Sequence, residues 1–70
     1  MSATTLERLD RYKRMHKMSD VALSERLSSS EGIKVYSIYL YRWRKAGKIK
    51  GAYAKIVEDF LKKEAAAGKF

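Results

Sequence analysis

The pattern that most constrains this chain lies near its C-terminal end. Tyr53, Ile56, Val57, Phe60 and Leu61 stand at positions i, i+3, i+4, i+7 and i+8. That spacing places the five side chains on one face of an α-helix, whereas a strand would require a period of two. We therefore predict an amphipathic helix here, with this face buried against other elements.

The length and composition of the chain indicate that side-chain packing must stabilise the fold. The chain has 70 residues and no cysteine, so neither a disulfide nor a thiolate zinc site is available. We predict one small domain over residues 1–64, followed by a flexible C-terminal tail at 65–70. Because a core of this size is close to marginal, dimerisation would stabilise it.

Two further helices are predicted in the first half of the chain. Thr4 and Glu7 form a capping-box pattern, which predicts a helix over about 4–16. Ser19 can cap a second helix, in which Leu23 and Leu27 share one face. The serine-rich stretch 28–34 is predicted to end this helix as a long turn.

A third helix is predicted between that turn and Gly47. Ser37 is its predicted cap, and Leu40 and Trp43 form its buried stripe. The β-branched and aromatic stretch 33–41 also permits a strand. Neither face of that strand would be uniformly apolar, because a serine interrupts one and an arginine ends the other. We therefore favour an extended turn through Val35 followed by helix. The prediction is an all-α bundle of four to five short helices.

Positive charge is concentrated around the third helix. The net charge is +8, and residues 32–57 contain seven Lys or Arg and no Asp or Glu. Four of the five tyrosines and the single tryptophan lie in the same window. Lys and Arg displace counterions from phosphates, and tyrosine can contact bases and sugars, so this segment favours binding to nucleic acid.

The middle of the chain resembles the helix-turn-helix domains of phage Cro and CI-type (XRE-like) repressors and their bacterial relatives. The resemblance is carried by residues 19–27 and 35–49. In the first of these segments, Leu23 and Leu27 stand where the family has apolar residues. Ser24 stands where the family has a small residue, at the crossing of the two helices. In the second, residues 40–47, LYRWRKAG, match the usual end of the recognition helix.

The resemblance implies a sequence-specific regulator, in particular a repressor of phage or mobile-element type, that binds double-stranded DNA without a cofactor. The motif would span about 19–46, with the recognition helix at about 37–46 in the major groove, and two copies would bind as a homodimer. The candidate base-reading residues are Ser37, Ile38, Tyr41, Arg42 and Lys45. The candidate phosphate contacts, at or beyond the ends of that helix, are Lys34, Tyr36, Arg44, Lys48 and Lys50.

One departure from the family concerns the turn between the two helices. The family turns within about three or four residues, often with glycine first. Here Ser28 stands at that position, and the stretch 28–34 is predicted to lengthen the turn by roughly six residues. Such a turn would either be a loop insertion or bring Lys34 to the DNA backbone.

Other features of the sequence favour ordinary structural roles. Trp43 is predicted to lie in the core and Tyr39 to be partly buried. His16, the only histidine, is predicted to be a helix-end residue without metal partners. The N-terminal basic cluster is interspersed with Glu7 and Asp10 and favours a solvated face. Its members are Arg8, Arg11, Lys13, Arg14 and Lys17.

The sequence also bears on other classes of function. Without cysteine or a phosphate-binding loop, an enzyme with a small-molecule substrate is not expected. The chain has neither a membrane-length apolar run nor a signal-peptide pattern, which predicts a cytoplasmic protein with no membrane partner. Two alternatives stay open: an excisionase or MerR-like winged-helix protein, and a small basic inhibitor of an acidic protein partner.

Overall fold

The computed structural model of the protein describes residues 4–69, which form four helices and contain no strand. The helices are α1 (Thr5–Met15), α2 (Asp20–Glu31), α3 (Ser37–Ala46) and α4 (Ala52–Ala66). The predicted all-α bundle of short helices is confirmed. Of the predicted domain limits, residues 1–3 and 70 lie outside the described residues.

The first two helices begin as predicted. The Thr4 side chain accepts a hydrogen bond from the Glu7 amide at 3.1 Å. Ser19 does the same for the Ala22 amide, also at 3.1 Å. Each hydroxyl satisfies an amide that has no partner within the helix, so the sequence-based assignment of both caps is confirmed.

The predicted end of the second helix is wrong. Ser28 and the two serines after it belong to α2, which continues to Glu31 and stops at Gly32, where φ is 67°. The Ser28 hydroxyl donates to the Ser24 carbonyl at 2.8 Å, so this serine is satisfied inside the helix rather than ending it. The connection to α3 is therefore residues 32–36, and the predicted long turn at 28–34 is mostly helix.

The third helix also begins one position away from its predicted cap. Tyr36 is the N-cap, in an extended conformation and without a side-chain cap, and Ser37 is the first helical residue. Extended backbone before the helix agrees with the predicted turn through Val35. Gly47 ends α3 with a φ of 78°, a left-handed conformation that glycine adopts without a steric penalty.

A single apolar core joins the four helices. α4 packs on α1 and α2, while α3 packs on α2. The predicted face of α4 supplies Val57, Phe60 and Leu61 to the centre of this core, whereas Tyr53 and Ile56 are only partly buried. The other buried apolar residues are Leu6, Leu9, Tyr12, Leu23, Leu27, Val35, Leu40 and Trp43.

The C-terminal end of α4 extends past the predicted domain limit at residue 64. Ala65 and Ala66 are helical, and the Lys69 amide donates to the Glu64 carbonyl at 2.8 Å. The His16 ring nitrogen Nε2 lies within hydrogen-bonding distance of the Lys69 carbonyl. The backbone of Lys69 therefore contacts the C-terminal end of α1.

The helices of residues 4–69 are between 10 and 15 residues long. Each helix in this range is too short or too polar to span a bilayer.

Candidate nucleic-acid interface

Helix α3 separates a buried face from an exposed one. Leu40 and Trp43 are 3% and 5% exposed and point into the core. Ile38 and Tyr41 are 47% and 52% exposed on the opposite side. Arg42 and Lys45 are exposed with them, and Ser37 is half-buried at the start of the helix. The five predicted base-reading residues are thus on α3, and four of them are well exposed.

Trp43 fixes α3 to the start of α4 through aromatic contacts. Its ring centre lies 5.7 Å from that of Tyr53 and 6.4 Å from that of Tyr39. Tyr39 and Tyr53 are themselves 5.4 Å apart. The predictions of a core Trp43 and a partly buried Tyr39 are confirmed, and this packing gives the exposed face of α3 a fixed support.

The connection between α2 and α3 is tied to α2 by one side chain. The buried Val35 amide donates to the Ser28 hydroxyl at 2.8 Å. That hydroxyl in turn donates to the Ser24 carbonyl, one turn earlier in α2. Because the backbone of residue 35 is attached to α2 two residues before α3 begins, these contacts help to set where α3 starts.

The N-terminal end of α3 carries two of the predicted phosphate contacts. Lys34 and Tyr36 are exposed, and the Lys34 ammonium lies 5.4 Å from the centre of the Tyr36 ring. Both line a shallow groove between α2 and α3 together with Ser37. Val21 and Glu25 of α2 form the other side of this groove, so one carboxylate lies close to this end of the basic segment.

The C-terminal end of α3 carries a second group of cations. Arg42, Lys48 and Lys50 line a cleft of about 680 Å³ whose inner wall includes Tyr39, Trp43 and Tyr53. Acidic residues are absent from the lining of this cleft. The structure therefore brings one predicted base reader and two predicted phosphate contacts together at this end.

Arg44 lies apart from the other predicted phosphate contacts. Its guanidinium pairs with the Asp20 carboxylate, to which the Lys13 ammonium also binds at 2.8 Å. Burial opposes the charge on Asp20, but the hydrogen bonds from Lys13 and Arg44 outweigh that effect and hold its pKa below the ordinary value. This cluster joins α1, α2 and α3, so Arg44 has a structural partner within the fold.

A second polar cluster was not predicted from the sequence. The Arg26 Nε donates to Glu64 Oε1 at 2.7 Å and to the Tyr12 hydroxyl at 3.0 Å. The Tyr12 hydroxyl donates to the same Glu64 oxygen at 2.8 Å. The bond from Arg26 outweighs burial and lowers the pKa of Glu64, while burial and then the Glu64 carboxylate raise the pKa of Tyr12.

The N-terminal basic cluster lies on a different element from α3. Arg8, Arg11 and Arg14 line one surface of α1 together with Glu7 and Asp10, so positive and negative charges alternate there. Lys13 is paired with Asp20. His16 lies at the predicted helix end and packs against Tyr12, with ring centres 4.3 Å apart and the rings tilted by 38°. The basic surface without acidic residues in its lining is thus the one at the C-terminal end of α3.

Comparisons with protein-family models, with curated proteins and with solved structures find no match for this chain. Residues 4–69 form a small bundle of four helices, of which α3 has an exposed, basic and aromatic face.

Proposed function

We propose that this protein is a sequence-specific regulator that binds double-stranded DNA, with α2 and α3 acting as a helix-turn-helix unit. The observation that carries the proposal is the division of α3. Leu40 and Trp43 anchor it from one side, while Ile38, Tyr41, Arg42 and Lys45 project from the other. A rigid helix with an exposed, cationic and acid-free face is what insertion into the major groove requires.

Dimensions and charge support the same mode of binding. An α-helix with its side chains is about 10–12 Å across, and the major groove of B-DNA is about 12 Å wide. Cations lie at both ends of α3, with Lys34 before it and Lys48 and Lys50 after it. A helix seated in the groove would place such flanking cations near the phosphates of the two groove walls.

The first experiment is a titration of a random-sequence duplex at several salt concentrations. Each phosphate contact contributes about −0.9 to the slope of log K against log salt. Lys48→Ala and Lys50→Ala should each make that slope shallower by about 1. Lys62→Ala, which removes the same charge from an exposed position late in α4, is the matched control. Absence of binding at low salt would exclude the proposal.

The two other candidates differ from this one in testable ways. A wing requires two strands, and residues 48–51 connect α3 to α4 without a strand, which disfavours the winged-helix alternative. An inhibitor of an acidic protein could use the same cations, and Val21, Tyr36, Ile38 and Tyr41 would offer it exposed apolar surface. Salt-sensitive binding to duplex DNA separates the regulator from the inhibitor.

A further inference from the structure

The chain lacks the side chains that most often read adenine. Its 70 residues include no Asn and no Gln. These two amides are the groups that pair in a bidentate manner with adenine N6 and N7 in the major groove. Whichever of these 70 residues enter the groove, that contact is unavailable to them.

The exposed face of α3 also lacks a carboxylate for cytosine. Asp and Glu are the side chains that usually accept a hydrogen bond from the cytosine amino group, and residues 32–57 contain neither. Glu25 lies beside the start of α3, but it belongs to α2 and faces the groove that contains Val21 and Ser37. The central and C-terminal parts of the α3 face therefore have no carboxylate with which to select cytosine.

Two kinds of base contact stay within reach of this face. Arg42 and Lys45 can donate to guanine N7 and O6. Ile38 and Tyr41, one helical turn apart, present apolar surface that suits the 5-methyl group of thymine. The Lys45 ammonium lies 5.7 Å from the centre of the Tyr41 ring, so the cation and the aromatic surface lie side by side.

From these observations we infer that the protein selects its sites by thymine methyl groups and guanines, with Ile38 and Tyr41 as the methyl-reading residues. This inference rests on the proposed DNA-binding function. At an A·T pair the recognised group is the methyl of thymine, and the bidentate contact of an Asn or Gln amide to adenine is absent. The Ser37 hydroxyl can pair with either donors or acceptors and adds little discrimination.

The test removes only the methyl groups from DNA. A high-affinity duplex is first selected from a random pool, and each thymine in the bound region is then replaced by deoxyuridine, which keeps the pairing and hydrogen-bonding groups unchanged. Affinity should fall about fourfold for each contacted thymine, the equivalent of one buried methyl group. Replacing thymines outside the bound region should leave affinity unchanged.

Two substitutions assign the effect to the named side chains. Ile38→Ala and Tyr41→Ala should each make the protein insensitive to deoxyuridine at one or more positions. Tyr41→Phe keeps the ring and removes the hydroxyl, so its response to deoxyuridine should equal that of the unaltered protein. Both residues are about half exposed, so the variants should retain the circular dichroism spectrum of the folded chain.

The outcomes separate this inference from the proposed function. Sequence-selective binding that is unaffected by deoxyuridine at every position would overturn methyl recognition and leave the proposed function standing. The same holds if Ile38→Ala and Tyr41→Ala both keep the full response to deoxyuridine. If no sequence is enriched and no duplex is bound at low salt, the proposed function fails together with the inference.

Discussion

The Val35 amide donates a hydrogen bond of 2.8 Å to the Ser28 hydroxyl, seven residues earlier in the chain. Val35 is buried, so without Ser28 this amide would lose its partner where contact with water is restricted. The Ser28 hydroxyl also donates to α2 itself, at the Ser24 carbonyl. One side chain therefore connects α2 to the segment that leads into α3.

Ser28→Ala should destabilise the protein and disturb the position of α3. Leaving a buried amide unpaired costs about 1–3 kcal/mol, so the free energy of unfolding in urea should fall by that amount. Ser29→Ala is the control, because Ser29 is exposed on the same helix. If both variants were equally stable, Ser28 would not have the role described here.

Trp43→Ala should unfold a large part of the population. Replacing a buried aromatic side chain by alanine costs about 3–5 kcal/mol. A chain of this length is stable by only about 3.5–10 kcal/mol. Circular dichroism at increasing temperature measures the loss, and Trp43→Phe, which keeps an aromatic ring in contact with Tyr53, should unfold at an intermediate temperature. An alanine variant as stable as the unaltered chain would contradict the core assignment.

Glu64→Gln should lower stability at neutral pH and have less effect in acid. The pKa of Glu64 is lower in the folded chain than its ordinary value of 4.5, so its charge stabilises the folded state above pH 4.5. That contribution is lost as the pH falls from 4.5 through the folded-state pKa. Urea titrations should show a difference of about 1–3 kcal/mol at pH 7 that shrinks over this acidic range.

The control for this pH dependence is Glu25→Gln, which neutralises an exposed carboxylate on α2. Its stability should differ from that of the unaltered protein by less than about 0.5 kcal/mol at pH 7. A Glu64→Gln variant whose deficit stayed constant from pH 7 to pH 3 would show that the charge of Glu64 is not what stabilises the fold.

Arg42→Ala should reduce specific binding more than non-specific binding. A bidentate contact to guanine discriminates by about 1–3 kcal/mol, whereas loss of a phosphate contact weakens all sequences alike. Fluorescence anisotropy on a selected duplex and a random duplex measures both. Arg11→Ala, an exposed arginine on α1, should change neither by much. Equal losses on the two duplexes would make Arg42 a phosphate contact instead.

The helices and most of the core residues could be predicted from the local spacing of residues in the sequence. The caps at Thr4 and Ser19 and the buried stripe of Leu40 and Trp43 each depend on residues within one or two turns of one another. The end of α2 could not be predicted in this way, because a run of serines by itself is compatible with either a turn or a helix. It is helical here because Ser28 finds partners in the Ser24 carbonyl and the Val35 amide, and Gly32 supplies the left-handed stop.

The polar clusters could not be predicted, since their members are far apart in sequence. Arg26 and Glu64 are separated by 38 residues and meet only when α2 packs on α4. Asp20 and Arg44 are likewise 24 residues apart. For the candidate site, sequence spacing indicated which α3 residues are exposed, but the pairing of Arg44 within the fold required the structure.

The most direct test of the central claim locates the DNA-binding surface residue by residue. Amide chemical shifts of ¹⁵N-labelled protein would be followed during titration with a duplex that it binds. We predict that the largest changes occur at Ser37, Ile38, Tyr41, Arg42 and Lys45, with smaller ones at Lys34, Lys48 and Lys50. Changes confined to the α1 surface around Arg8 and Arg11, or to the C-terminal half of α4, would contradict the claim that α3 is the helix that contacts DNA.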